Sequence, residues 1–525
     1  MFDRLRTTLR TPAGREAGLR LVLLLGFALL ISRFWSPYYG FTALLQADAR
    51  TEALLPASLQ DAPIFIHREG GRYDGAFYAQ IATSPDLSEP ALATAIDDLG
   101  YRARRILLSA VAWVAGGGEA VAAVHAYAWL NPILWFAWAA LLWRVLPTGV
   151  GWRNTIAWTA LLFASGALAS VRLALTDLAA VLLLTAGLRC IERGRLLAAS
   201  VILGFAGLAR ETVLLGAGAL LPEEKSHRAT WLRRALLGLL AALPLIAWWS
   251  YLHVAVASSS AGTENFSLPL AGWVGEWREL WAQTGVETNR GLLLGGWLDC
   301  IALTGQAAYL LIHREPRSAW WRVGALFVAL GVLLGPAVWE GLPGAYSRVL
   351  LPVAVAFNIL AARRAAAWGW LVLGNLSILT GVWAMLDAPS TPRMLTSASG
   401  PGYSYVLETD PSWSVAEWNR RWRWAWCEDE GRLTFRVWPH RPRARVQLQV
   451  RGVTPRELEV RHAGVTVWRG RVGDRPEWIE LPSLPLERGR LDLDLQSPAP
   501  PAQEGVANTA RGISFACFGA RLVEE

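Results

Sequence analysis

From residue 19 to residue 386 the chain runs through long apolar stretches parted by short arginine-rich breaks, and from 387 onward no such stretch recurs. A helix needs about 20 apolar residues to cross a hydrocarbon core, and several stretches supply them. The tail has another rhythm. Leu433-Thr-Phe-Arg-Val, Val446-Gln-Leu-Gln-Val and Leu491-Asp-Leu-Asp-Leu alternate apolar and polar positions, with turn residues between such segments. Period-two alternation marks strands with one buried face. The expected architecture is an α-helical polytopic membrane domain over 1–388, a linker over 389–412, and a C-terminal all-β sandwich or jelly roll over 413–525.

The breaks set the expected orientation, because short loops rich in Lys and Arg stay in the cytoplasm. Basic groups fall in the N-terminal tail (Arg4, Arg6, Arg10, Arg15, Arg20) and at 144–153, 189–195, 225–234, 313–322 and 363–364. Two crossings must then separate each break from the next. The spans read 18–35, 120–144, 154–170, 177–191, 196–210, 212–222, 234–255, 290–312, 320–339, 345–362 and 366–387. That predicts about eleven helices, with the N-terminus cytoplasmic and the tail outside. The stretch 104–115, closed by Gly116-Gly-Gly118, is expected as a juxtamembrane helix on the outer surface. It leaves 36–119 as a large first external loop. No small-residue cleavage site follows the first apolar run, only Arg33-Phe-Trp-Ser-Pro, so that run reads as an anchor.

Composition changes this picture little. The chain is 53% hydrophobic and 18% charged, and its net charge of +8 raises the question of nucleic acid. The arginines cluster beside apolar spans, which is membrane topology and excludes that class. There is no phosphate-binding glycine loop, no His-Glu-x-x-His and no Cys-x-x-Cys.

Candidate chemistry lies in the first external loop. In Gly70-Gly-Arg-Tyr-Asp-Gly-Ala-Phe-Tyr-Ala-Gln-Ile-Ala82, Asp74 sits at an expected helix start among Tyr73, Phe77 and Tyr78. Asp often serves there only as a cap. Against that, a carboxylate beside a membrane surface, flanked by rings able to stack on sugars, has the makings of a site. In the eleven-span topology Arg102, Arg105, Asp177, Arg210, Glu211, Tyr346 and Arg348 also fall near the outer face. Ionisable groups near a bilayer face a cavity or pair with one another; Arg210 with Glu211, or Arg172 with Asp177, are pairs that would merely neutralise each other.

The 72–82 segment resembles the first-loop motif of GT-C glycosyltransferases, especially bacterial multi-spanning enzymes akin to the mannosyltransferase branch. Tyr101-Arg-Ala-Arg-Arg-Ile-Leu-Leu108 resembles a second family segment, with Ser109 where the family has Pro. Leu175-Thr-Asp-Leu-Ala179, Ala209-Arg-Glu-Thr212 and Ala345-Tyr-Ser-Arg-Val-Leu-Leu-Pro352 are similar to further motifs. The resemblance implies a bacterial inner-membrane enzyme moving a sugar from a polyprenyl-phosphate donor to a lipid or glycan acceptor. It implies Asp74 as catalytic base, Arg102, Arg105, Arg210, Tyr346 and Arg348 toward the donor phosphate, and Tyr73, Tyr78, Asp98, Asp177 and Glu211 around the substrate. It leaves a divalent metal at Asp74 open, with Asp97 and Asp98 as the best additional carboxylates. The competing classes are a flippase of lipid-linked sugar, which calls for mid-depth polar residues and paired broken helices, and a glycan-assembly factor with a sugar-binding tail.

In the tail, Trp422, Trp424 and Trp426 alternate and are expected in the sandwich core, with sugar binding as the second reading. Cys427 and Cys517 are the two cysteines of the external domain, in strands expected to be neighbours. Burial as free thiols and a disulfide are both compatible with that.

Overall fold

A computed structural model of the protein describes residues 11–68, 70–71, 73–222, 227–256, 262–341, 344–386, 393–504 and 511–523. Arg72, Lys225, the basic residues Arg4, Arg6 and Arg10, and Pro389-Ser-Thr-Pro392 of the expected linker lie outside the described residues. The chain divides into two compact units. One comprises Met1–Phe34, Phe41–Gln60 and Ile66–Ala388; the other comprises Trp35–Gly40, Asp61–Phe65 and Pro389–Glu525. The 36–119 stretch thus contributes to both.

The first unit is helical. Among the described residues, four segments are both long and apolar enough to cross a membrane, not eleven: Ala120–Val145, Trp152–Arg172, Arg228–Ala255 and Trp368–Leu386. Two physical causes reduce the number. Some expected spans form short helices, such as Leu196–Ala209 and Ala319–Leu333, while 212–222 becomes the ten-residue 3₁₀ helix Glu211–Leu220. Others have the length but carry buried polar groups. Pro12–Ser32 buries Arg20, whose guanidinium donates to the Leu146 carbonyl (2.8 Å) and Thr155 Oγ1 and lies over Trp143 and Trp158. Arg290–Ile312 buries Asp299. Arg228–Ala255 shows the opposite character: Leu232, Leu236, Leu239, Leu243 and Ile246, spaced three and four apart, form an exposed apolar stripe. A stripe of that extent marks a surface for contact with lipid or another apolar partner. The 104–115 stretch contains a nine-residue helix, Leu107–Ala115.

The second unit is all-β and antiparallel. Across the larger sheet the strands run Val465–Val472, Arg456–His462, Arg490–Gln496, Glu430–Trp438, Tyr403–Thr409 and Met394–Gly400. The other sheet runs Glu477–Pro485, Arg443–Gly452, Phe515–Val523, Arg423–Cys427 and Glu417–Trp418. Alternating residues of both sheets, including Leu433, Phe435, Leu448, Val450, Leu458, Leu493 and Phe515, share one core. Tyr38 and Tyr39 join Val406 in a smaller cluster, and the Tyr39 hydroxyl donates to Glu408 at 2.8 Å.

The tryptophan triplet departs from expectation. The strand begins at Arg423, so Trp422 stays in the preceding turn and is exposed. Period two then sends Ala425 and Cys427 into the core between the sheets. Trp424 and Trp426 take the other face, against Ile513, Ala516 and Phe518. Cys427 and Cys517 do lie on neighbouring strands, where Cys427 pairs with Phe515 and Cys517 with Ala425. Both are buried free thiols, and burial pushes each up to about 12.

Candidate active site

Asp74 opens the helix Asp74–Ile81. Gly75 lets that helix lie against the 173–174 backbone, since a Cβ there would meet the Leu173 carbonyl oxygen at 2.2 Å. This close approach brings Tyr73 and Asp74 near the start of the Asp177–Glu192 helix. A second glycine works likewise: a Cβ on Gly166 would meet the Ser347 carbonyl oxygen at 2.1 Å, so the Tyr346–Val349 turn sits tight on Ser165–Arg172 and carries Arg348 inward.

Arg102 pairs with Asp74 at 2.8 Å and with Asp97 through two nitrogens, at 2.7 and 3.0 Å. It also lies over the rings of Phe77 and Tyr101, at 5.3 Å from each. Arg105 is buried and grips Glu211 with two bonds of 3.1 Å, while donating to the hydroxyls of Tyr78 (2.9 Å) and Tyr101 (3.3 Å). Arg210 pairs with Asp177, not with its chain neighbour Glu211. Arg348 reaches the other oxygen of Asp177 at 3.6 Å and donates to the Tyr73 hydroxyl at 2.6 Å. Arg172 stacks over Phe34 at 4.9 Å.

These contacts close on themselves. Tyr73 and Asp74, Tyr101 and Arg102, and Arg210 and Glu211 are consecutive residues, so three separate pairs of partners form one ring. Four carboxylates (Asp74, Asp97, Asp177, Glu211) face four guanidiniums (Arg102, Arg105, Arg210, Arg348). Asp177 is 3% exposed, whereas Asp74 is 27% exposed and accessible to a ligand. Burial raises the Tyr73 and Tyr78 hydroxyls above the usual tyrosine value, against the opposing charges of Arg348 and Arg105. For Tyr101, burial alone would raise the hydroxyl, but the charge of Arg105 and hydrogen bonds from Asn265 and Arg105 prevail and lower it. Burial depresses Arg102, and the hydrogen bond to Asp97 and the charge of Asp74 reverse this and raise it.

Two expected residues take other places. Asp98 caps the short helix Leu99–Arg102 by accepting from the Tyr101 amide at 2.8 Å. Tyr346 is fully buried, stacked on Trp339 at 4.7 Å, and is not among the ring's partners. Of the two extra carboxylates expected, Asp97 joins the ring and Asp98 does not, and Tyr101, within the 101–108 segment but not expected at the site, bonds Arg105. Ser109, where the resembled family has Pro, donates to the Tyr78 carbonyl at 2.7 Å and ties the Leu107–Ala115 helix to the site.

The donor set does not fit a resident metal. Asp74 and Asp97 share one arginine, and among the described residues no three His, Cys, Asp or Glu side chains are grouped to hold an ion.

No family model matches the chain, and no curated protein does. Among solved structures, the arabinosyltransferase EmbB from Mycobacterium smegmatis, determined by single-particle cryo-EM, is 13% identical, with a TM-score of 0.25. The match covers 96% of this chain and 64% of that one, so this chain spans less than two thirds of that protein's length. A likeness this remote defines neither family nor activity.

Proposed function

We propose that the chain is a polytopic membrane glycosyltransferase of GT-C type. It transfers a sugar from a polyprenyl-phosphate donor to an acceptor hydroxyl at the outer membrane face, with the β domain on that side. The single observation that carries this reading is the neutral ring of four acids and four arginines around the accessible carboxylate of Asp74. Asp74 takes the proton of the acceptor hydroxyl as its oxygen bonds to the anomeric carbon. The bond from that carbon to the donor phosphate breaks, and its electron pair leaves with the phosphate. Protonated Asp74 no longer balances the arginines, so the ring gains one positive charge as the departing phosphate gains one negative charge. Arg102, shared with Asp97, and Arg348, held by Tyr73, are placed to bind that phosphate by charge-assisted hydrogen bonds. Arg105, Arg210, Asp177 and Glu211 hold the ring in position. The Tyr73 ring lies under the Arg348 guanidinium, and the buried Tyr78 steadies Arg105 through its hydroxyl.

The test is Asp74→Asn, assayed as transfer of labelled sugar from the lipid-linked pool of membranes. The expected loss is about 10²–10⁴-fold, with the protein inserted and folded as before. Turnover near that of the parent protein overturns the assignment.

A further inference from the structure

Away from the ring, the first unit contains a small cavity of mixed lining, five polar residues and seven apolar ones, that the proposed chemistry does not use. The Arg290–Ile312 helix is continuous there, but three interrupted helices meet it. One breaks at Ala164, extended at φ −55° and ψ 145° between Trp152–Phe163 and Ser165–Arg172. Another breaks at Leu350, between Tyr346–Val349 and Leu351–Arg363, and the third just before Ser377–Leu386. Ala164, Leu350 and Ser377 all line the cavity, which measures about 20 Å³, room for a single water-sized occupant.

Its polar lining is oxygen-rich: Asp299, Ser165, Gln306, Ser347 and Ser377. Asp299 is 2% exposed. Its Oδ2 accepts from the Ser165 hydroxyl at 2.6 Å; Oδ1 makes no hydrogen bond of ordinary geometry, and the Thr380 hydroxyl stands close to the carboxylate. Gln306 donates one amide N–H to the Gly374 carbonyl at 2.6 Å and keeps a second N–H and an acceptor oxygen. Among the described residues no Arg, Lys or His forms an ion pair with Asp299. A buried carboxylate without a counter-charge is costly. One carboxylate balances one positive charge, and hard oxygen donors with backbone freed at helix breaks suit an alkali cation.

We propose that this cavity is a monovalent-cation site, sized for sodium, with Asp299 supplying the charge and the hydroxyl and amide oxygens the remaining ligands. The cation would pin the three helix interruptions against Arg290–Ile312, a structural role independent of the sugar chemistry.

The full-length protein, purified in detergent, is unfolded thermally in increasing NaCl and in choline chloride at equal ionic strength. Sodium should raise the apparent Tm saturably, by about 2 °C or more, where choline does not. Asp299→Asn should abolish the difference, whereas Asp74→Asn should retain it. If Asp299→Asn fails to fold, Ser377→Ala and Ser347→Ala should each raise the half-saturating sodium concentration several-fold. Equal Tm values in both salts overturn the proposal, as does an undiminished sodium response in Asp299→Asn or in both serine variants. A Tm that falls with rising pH whatever the cation, and does so less in Asp299→Asn, means the cavity holds a proton on Asp299 instead, and that also overturns it.

Discussion

Asp74, Asp177 and Glu211 each oppose an arginine, yet their surroundings assign them different work. Asp177 is almost wholly enclosed, with Arg210 on one oxygen and Arg348 on the other. Removing one partner of a buried pair leaves the others uncompensated, which typically costs about 3–5 kcal/mol. Asp177→Ala should therefore lower the apparent Tm and the yield of monodisperse protein. A variant as stable as the parent would show that its arginines find other partners. Asp74 is more open and its pair with Arg102 is backed by Asp97, so Asp74→Asn should leave the melting curve nearly unchanged. Stability and turnover thus separate the acid that holds the ring from the acid proposed to use it.

At the scale of elements, the short helix Asp74–Ile81 is placed by backbone contact more than by its side chains. Gly75 has ordinary helical surroundings in the sequence, and only the 2.2 Å approach to the Leu173 carbonyl reveals why a side chain is excluded. Gly75→Ala should push the helix away from 173–174 at a cost of about 1–3 kcal/mol. Because the same shift separates Tyr73 from Arg348, transfer should fall more than stability does. Wild-type transfer in Gly75→Ala would mean that this packing does not set the site. The β unit shows the same dependence on a boundary: one residue decides where the Arg423–Cys427 strand begins and hence which face receives its tryptophans.

For the whole molecule, orientation is the property that the proposed chemistry most needs. With Cys190 replaced by Ser, membrane-impermeant thiol reagents applied to intact cells should label Ser88→Cys and Ser399→Cys, while Arg193→Cys and Ala365→Cys react only after permeabilisation. These positions lie at exposed sites, so protection reports the membrane and not local burial. Labelling of Arg193→Cys in intact cells, or protection of Ser399→Cys, would reverse the orientation and remove the β domain from the face where transfer is proposed.

The sequence by itself determined the division into apolar helices and alternating strands, because burial imposes period two on a strand and long apolar composition on a lipid-facing helix. It also brought forward Asp74, Arg102, Arg105, Asp177, Arg210, Glu211 and Arg348, since charges beside apolar spans are conspicuous. The count of long apolar helices was not legible. A hydrophobic stretch reads alike whether it forms a full crossing or a helix as short as Leu196–Ala209, and Asp299 within an apolar stretch is tolerable only once Ser165 is known to reach it. The pairing was not legible either. Arg210 bonds Asp177, 33 positions away, and leaves its neighbour Glu211 to Arg105, 106 positions away along the chain. Contacts of that kind are set by how helices pack, and close backbone approaches such as those at Gly75 and Gly166 exist only in three dimensions.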